Sequence, residues 1–171
     1  MQITLENCGK RYNRDWIFRK LSYTFLQGKT YAITGANGSG KSTLLQVIAG
    51  STNATEGTIN YSNAATAIAN EQIHQQLSIA APYLDVIEEM TAIEFLEFHS
   101  AFKPLLFSPK EIITIVDLEK AVNKQIRYYS SGMRQRIKLA QAIFSQTPVL
   151  LLDEPCTNLD KTGYQLYHRL I

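Results

Sequence analysis

No uncharged run in this 171-residue sequence approaches the ~18 residues of a membrane-spanning helix, so any contact with a membrane is expected through a partner or a surface. A basic excess is missing too. Seventeen Lys and Arg stand against fifteen Asp and Glu, a net charge of +2 that is too small to argue for nucleic acid as the main partner, and no nucleic-acid partner is expected. Cysteine is scarce: Cys8 and Cys156 fit no metal-ligand spacing and are expected as free thiols in a reducing compartment. Met1 is followed by neither a basic n-region nor an apolar h-region, so no signal peptide is expected. Internal repeats and low-complexity linkers are lacking as well. What is present, 45% hydrophobic and 19% charged residues, suits a single globular domain over 1–171.

The most informative stretch is Thr30-Tyr-Ala-Ile-Thr-Gly-Ala-Asn-Gly-Ser-Gly-Lys-Ser-Thr-Leu-Leu, where an apolar run breaks into glycines and resumes as a helix. Gly35, Ala36, Asn37, Gly38, Ser39, Gly40, Lys41 and Ser42 fit the Walker A pattern GxxxxGK[ST], with Thr43 following and Tyr31 to Thr34 predicted as the preceding strand. The residue types follow from the chemistry. Backbone N–H groups must close around phosphates, which needs a loop free of Cβ atoms, and the helix beginning near Lys41 aims its unpaired N–H groups at the same anion. Lys41 adds a mobile charge for the outer phosphates, and the Ser42 hydroxyl suits Mg²⁺.

Alternation predicts strands over Gln2 to Asn7 and Trp16 to Leu26, antiparallel and ahead of the nucleotide core. Between them, Lys10-Arg11-Tyr12-Asn13-Arg14-Asp15 reads as a basic turn with one aromatic. Tyr12 admits two readings, ordinary turn packing or a flat face for a base. A helix over Lys41 to Ala49 is capped by Gly50, Glu56-Gly57 is expected to turn, and Thr58 to Tyr61 and Leu77 to Ala81 are expected strands. Helical spacing starts at Thr91, and Ser108-Pro109-Lys110-Glu111 carries the N-cap, first-position proline and acidic first turn of another helix. Residues 84–130 thus read as a mainly helical insertion, which the following helix extends to about 145.

That following helix opens at Tyr129-Ser130-Ser131-Gly132, where Ser and Gly suit a plain N-cap and would bind phosphate only if one were delivered. Val149-Leu-Leu-Leu predicts a fully buried strand ending in Asp153-Glu154-Pro155. Adjacent acids at a strand end are commonly solvated caps. Downstream of a Walker A loop they have complementary jobs, one carboxylate for Mg²⁺ and one to position and deprotonate water.

Across essentially its whole length the sequence resembles the ATP-binding cassette of ABC transporters. The motifs stand in that family's order: Walker A at Gly35 to Ser42, Walker B at Val149 to Asp153, Glu154 at the position of the catalytic base, and Asn158-Leu159-Asp160 as the D-loop. The resemblance places Tyr12 as the adenine-stacking aromatic, with Trp16 the runner-up. It makes Tyr129-Ser130-Ser131-Gly132-Met133 the counterpart of the signature LSGGQ, with Ser130, Ser131 and Gly132 assigned to ATP held by a second cassette. One departure is the Q-loop: the chain reads Ala80-Ala81-Pro82-Tyr83 where the family has a glutamine, and Gln75 and Gln76 lie too early.

The resemblance implies an α/β P-loop NTPase: a RecA-like core, an N-terminal antiparallel β-subdomain and a helical subdomain at about 84–145. The implied function is Mg²⁺-dependent ATP hydrolysis by a head-to-tail homodimer on the cytoplasmic face of the membrane, powering a separate permease. A soluble regulatory ATPase of the same type and a P-loop kinase of small molecules are the alternatives. Thr162 to Ile171 is expected as a helix with His168 on its surface, and the family continues beyond it to a strand and a switch histidine. The sequence is accordingly expected to be a C-terminally incomplete cassette, feeble in hydrolysis on its own.

Overall fold

Strand β1 (Gln2–Tyr12) buries Ile3, Leu5 and Cys8. The step from spacing two to spacing three is a bulge: the β1 register slips between Leu5 and Cys8, and Asn7 takes a positive φ of 47°. A tight hairpin through Asn13 and Arg14 leads to β2 (Asp15–Phe25), with Tyr12 paired to Asp15. The expected basic turn is therefore shorter than its polar composition suggested, and Lys10 to Tyr12 belong to the strand.

Strand β3 (Glu56–Asn63) pairs with the other side of β1, and β4 (Thr66–Ile68) completes an antiparallel sheet in the order β2-β1-β3-β4. Glu56-Gly57, expected as a turn, lies inside β3. Gly57 (φ 76°) faces the bulge, where a Cβ would run into the backbone of Glu6 and Asn7, so the glycine answers a close approach rather than a chain reversal. Helix α1 (Lys41–Ile48) buries Leu45, Val47 and Ile48, and the buried Tyr61 hydroxyl of β3 donates to the Ile48 carbonyl at 3.0 Å. Burial pushes the Tyr61 phenol up to about 12. A short helix α2 (Ile73–Gln76) carries Gln75 and Gln76. These elements form one compact unit, Met1–Leu77, in a structure that describes residues 1–64 and 66–171 as a computed structural model.

The second unit, Ser78–Ile171, contains a two-stranded sheet of β5 (Leu77–Ala80, whose first residue closes the first unit) and β6 (Val149–Leu152). Its helices are α3 (Ala92–Ser100), α4 (Pro109–Ile115), α5 (Ser131–Ile143) and α6 (Lys161–Leu170). Both capping boxes are local: Thr91 with Glu94 starts α3, and Ser108 with Glu111, ahead of Pro109, starts α4. Phe95, Leu96, Ile112, Ile113, Val116, Ile126, Ile137 and Leu166 fill the core between these helices.

Two strand expectations are corrected. Tyr31 to Thr34 is not a strand: among the described residues it pairs in neither sheet, and a run of β-prone residues without a ladder partner remains irregular. Strand β6 exists but is not fully buried. Among the described residues it pairs with β5 alone, and Leu150 stays 38% exposed.

Candidate nucleotide site

In the first unit the phosphate loop turns at Ala36 to Ser39, where the Ser39 N–H donates to the Ala36 carbonyl at 3.2 Å, and then enters α1 at Gly40. Gly40 sits at φ 92°, and a Cβ there would collide with the Ile17 side chain of β2. The loop is therefore seated directly on the hairpin. The α1 start has neither a side-chain cap nor an acidic residue in its first turn, which leaves the amides after Gly40 to serve an anion. Ser42 and Thr43 lie in that first turn. Lys41 Nζ donates to the Gly35 and Ala36 carbonyls at 3.0 and 2.9 Å, which holds the ammonium across the loop's start. Gly35, Ala36, Asn37, Gly38 and Ser39 are exposed.

The same hairpin presents both candidate aromatics, and their surroundings differ. Trp16 is half-buried, with the Arg11 and Arg19 guanidinium groups 5.2 and 4.3 Å from its ring, and Arg19 is fixed by a paired contact with Glu56. Tyr12 is 46% exposed. Of the two, Tyr12 has the ring surface to offer a base.

In the second unit, β6 leads straight into the acidic pair. Asp153 is 5% exposed, its amide donates to the Ala80 carbonyl at 2.9 Å, and its Oδ2 has no hydrogen-bond partner. A buried carboxylate oxygen without a partner is costly unless a cation or donor arrives, so the residue fits a Mg²⁺ ligand. No group of three or more His, Cys, Asp or Glu side chains is gathered among the described residues, so phosphate, hydroxyl and water oxygens would complete the shell. Glu154 is exposed and takes a positive φ of 45°. The turn is held by Thr157, whose amide donates to the Glu154 carbonyl at 3.0 Å and whose hydroxyl donates to Glu154 Oε2 at 3.3 Å.

Helix α5 secures the ends of both strands of this unit. Gln135 donates to the Pro155 carbonyl at 2.9 Å, and Lys138 to the Ala81 carbonyl at 3.4 Å. At its start, Ser130 Oγ accepts from the Met133 amide at 3.3 Å, the cap geometry, with Ser131 and Gly132 in the first turn. Tyr129, in the place of the signature's leucine, is 3% exposed and its hydroxyl donates to the Ala121 carbonyl at 3.0 Å. The substitution is thus absorbed into the core. Asp160 caps α6 by accepting from the Gly163 amide at 2.7 Å, and His168 is exposed on that helix. Gln75 is exposed on α2, and no glutamine follows β5 before α3. Thr157 was not singled out from the sequence. Thr157 lies three residues past Glu154, a spacing that a turn after the strand brings together.

A family model described as ABC transporter matches residues 18–157. The chain belongs to that family. It is an ABC cassette, an ATP-binding and hydrolysing subunit of a transporter with the mixed α/β fold of a P-loop NTPase. Among its relatives is an uncharacterized ABC transporter ATP-binding protein of Bacillus subtilis, YybJ, 32% identical over 99% of this chain and 78% of that protein. The cytochrome c biogenesis ATP-binding export protein CcmA of Haemophilus influenzae is 30% identical over 96% of this chain and 79% of its own length. Among solved structures, the cassette MJ0796 in a dimeric post-hydrolysis state bound to ADP and Pi superposes on 98% of this chain and 80% of its own with a TM-score of 0.80. At 22% identity that likeness speaks for the fold. No helix among the described residues of the cassette is long and apolar enough to cross a membrane.

Proposed function

We propose that the cassette hydrolyses ATP in a Mg²⁺-dependent reaction as one half of a head-to-tail homodimer, and that this drives a separate permease from the cytoplasmic face of the membrane. The observation that carries the metal-dependent step is the buried, unpartnered Asp153 Oδ2 immediately before an exposed Glu154. Tyr12 stacks on the adenine. The amides of Gly35 to Thr43 enclose the phosphates, and Lys41 neutralises charge on the outer ones. Ser42 and Asp153 hold the Mg²⁺, which when bound draws charge from the phosphate oxygens. Glu154 orients a water for in-line attack on the γ-phosphorus and takes its proton, while the bond to the β-phosphate oxygen breaks.

The α5 start supports the dimer. Ser130, Ser131 and Gly132 form a helix beginning with no acidic residue in its first turn, suited to a phosphate brought by a second cassette. In this reading the chain remains one ATPase domain over 1–171 whose helical part spans about 84–145, and Asp160 of the D-loop faces the dimer partner. Titrating Mg²⁺ against phosphate release in wild type and Asp153→Asn tests the metal site. The variant should require at least about tenfold more Mg²⁺, and an unchanged Mg²⁺ dependence would count against the assignment.

A further inference from the structure

Lys10 lies two residues before Tyr12 on the same strand, and its ammonium stands over the Tyr12 ring, 4.9 Å from the centroid. Residues two apart on a strand share a face, so the contact is built into β1 rather than made by a wandering side chain. The ammonium is itself anchored, donating to the Asn53 carbonyl at 2.8 Å. Asn53 belongs to a segment stitched onto β1: the Thr55 amide donates to the Gly9 carbonyl at 2.7 Å, and Thr55 Oγ1 accepts from the Arg11 amide at 3.1 Å. That segment follows α1, whose start is the phosphate loop. A continuous run of contacts therefore ties the ring to the element that holds the phosphates.

We propose that Lys10 is a positioning residue for the nucleotide base: its ammonium occupies one face of Tyr12 and fixes the ring's tilt, so that adenine stacks on the other face at a set distance from the phosphate loop. The proposal rests on the reading of Tyr12 as the adenine platform. A ring covered by a cation that is itself anchored on a backbone carbonyl loses little freedom when the base arrives, and the electron-rich face offered to the ammonium is the one the base cannot use. Arg in place of Lys keeps the effect, because a guanidinium stacks on the same face. Methionine keeps the aliphatic bulk and loses the charge.

The test measures binding of ATP and of inorganic tripolyphosphate, which has the charge but no base, to wild type, Lys10→Met, Lys10→Arg, Tyr12→Ala and Lys10→Met/Tyr12→Ala, each checked for an unchanged melting transition. Lys10→Met should weaken ATP about two- to fivefold and leave tripolyphosphate unchanged. Lys10→Arg should bind ATP as wild type does, and Lys10→Met should add no further loss in the Tyr12→Ala background. Equal losses for both ligands in Lys10→Met would make Lys10 a simple phosphate-attracting charge and overturn the proposal. A loss of ATP affinity in Tyr12→Ala with none in Lys10→Met would overturn it while sparing the stacking of Tyr12. Unchanged ATP affinity in Tyr12→Ala would overturn the stacking itself, and Lys10's role with it.

Discussion

Tyr12 and His99 show how differently a single side chain acts when its surroundings change. In the proposed reading Tyr12 contributes a ring face, so Tyr12→Ala should lose about 1–3 kcal/mol of ATP affinity while Tyr12→Phe stays near neutral. Calorimetric titration of both variants checks this, and equal losses would mean that the hydroxyl is what binds. His99 is buried within the second unit, its Nε2 2.8 Å from Ser145 Oγ and its Nδ1 3.1 Å from Gln141 Nε2. The Ser145 hydroxyl donates to the Gln141 carbonyl at 2.6 Å, so Nε2–H donates to Ser145 and Nδ1 accepts from Gln141, the neutral imidazole. Burial, with the nearby Lys103 charge as a lesser cause, lowers its pKa from 6.5 to about 4. Unfolding then takes up a proton between those two values, so the stability His99 allows is complete above about pH 6.5 and is lost as pH falls toward 4. The full loss is of order 3 kcal/mol. Denaturant midpoints of wild type and His99→Gln between pH 7 and 5 should converge as pH falls, and parallel pH dependences would contradict the assignment.

Elements differ in how far they could be read from the sequence. The α4 start was legible because Ser108, Pro109 and Glu111 act within one turn: Ser108 Oγ accepts from the Glu111 amide and the Glu111 carboxylate accepts from the Ser108 amide at 2.9 Å. The Ser108 hydroxyl, donating to Glu111 Oε2 at 2.6 Å, and then the Ser108 amide hold the Glu111 carboxyl below its ordinary range. Ser108→Ala should cost about 1 kcal/mol, measured by thermal unfolding, and a neutral result would show the cap to be redundant with Pro109. The acidic pair, the phosphate loop and the α5 cap were legible for the same local reason. The β1 bulge was not, because it is a relation between strands: only the register of β3 shows that Gly57 faces Asn7. Gly57→Ala should therefore destabilise by more than about 1 kcal/mol, and a stable variant would refute the close approach. Tyr31 to Thr34 misled for the complementary reason, since composition marks β-prone residues but a strand requires a partner. Lys10 was legible in principle as a strand neighbour of Tyr12 once the strand was known to run through Tyr12.

At the scale of the whole molecule, the residues proposed for nucleotide binding and those proposed for the chemistry lie in different parts of the chain. Met1–Leu77 holds the phosphate loop and Tyr12, and Ser78–Ile171 holds Asp153, Glu154 and the α5 start. Loss of a residue in the first should weaken binding, whereas loss of the base in the second should trap ATP without turnover. A trapped nucleotide should also hold the proposed dimer: Glu154→Gln with saturating ATP should sediment as a dimer and return to monomer on adding the Gly132→Asp change. A monomer under both conditions would refute the head-to-tail arrangement. The central claim, that this cassette hydrolyses ATP with Glu154 as base and Lys41 on the phosphates, is tested most directly by measuring ATP binding and phosphate release on the same preparations of wild type, Lys41→Ala and Glu154→Gln. Lys41→Ala should lose binding, and Glu154→Gln should bind as wild type does while phosphate release falls about 10²–10⁴-fold. Phosphate release by Glu154→Gln at the wild-type rate would contradict the account.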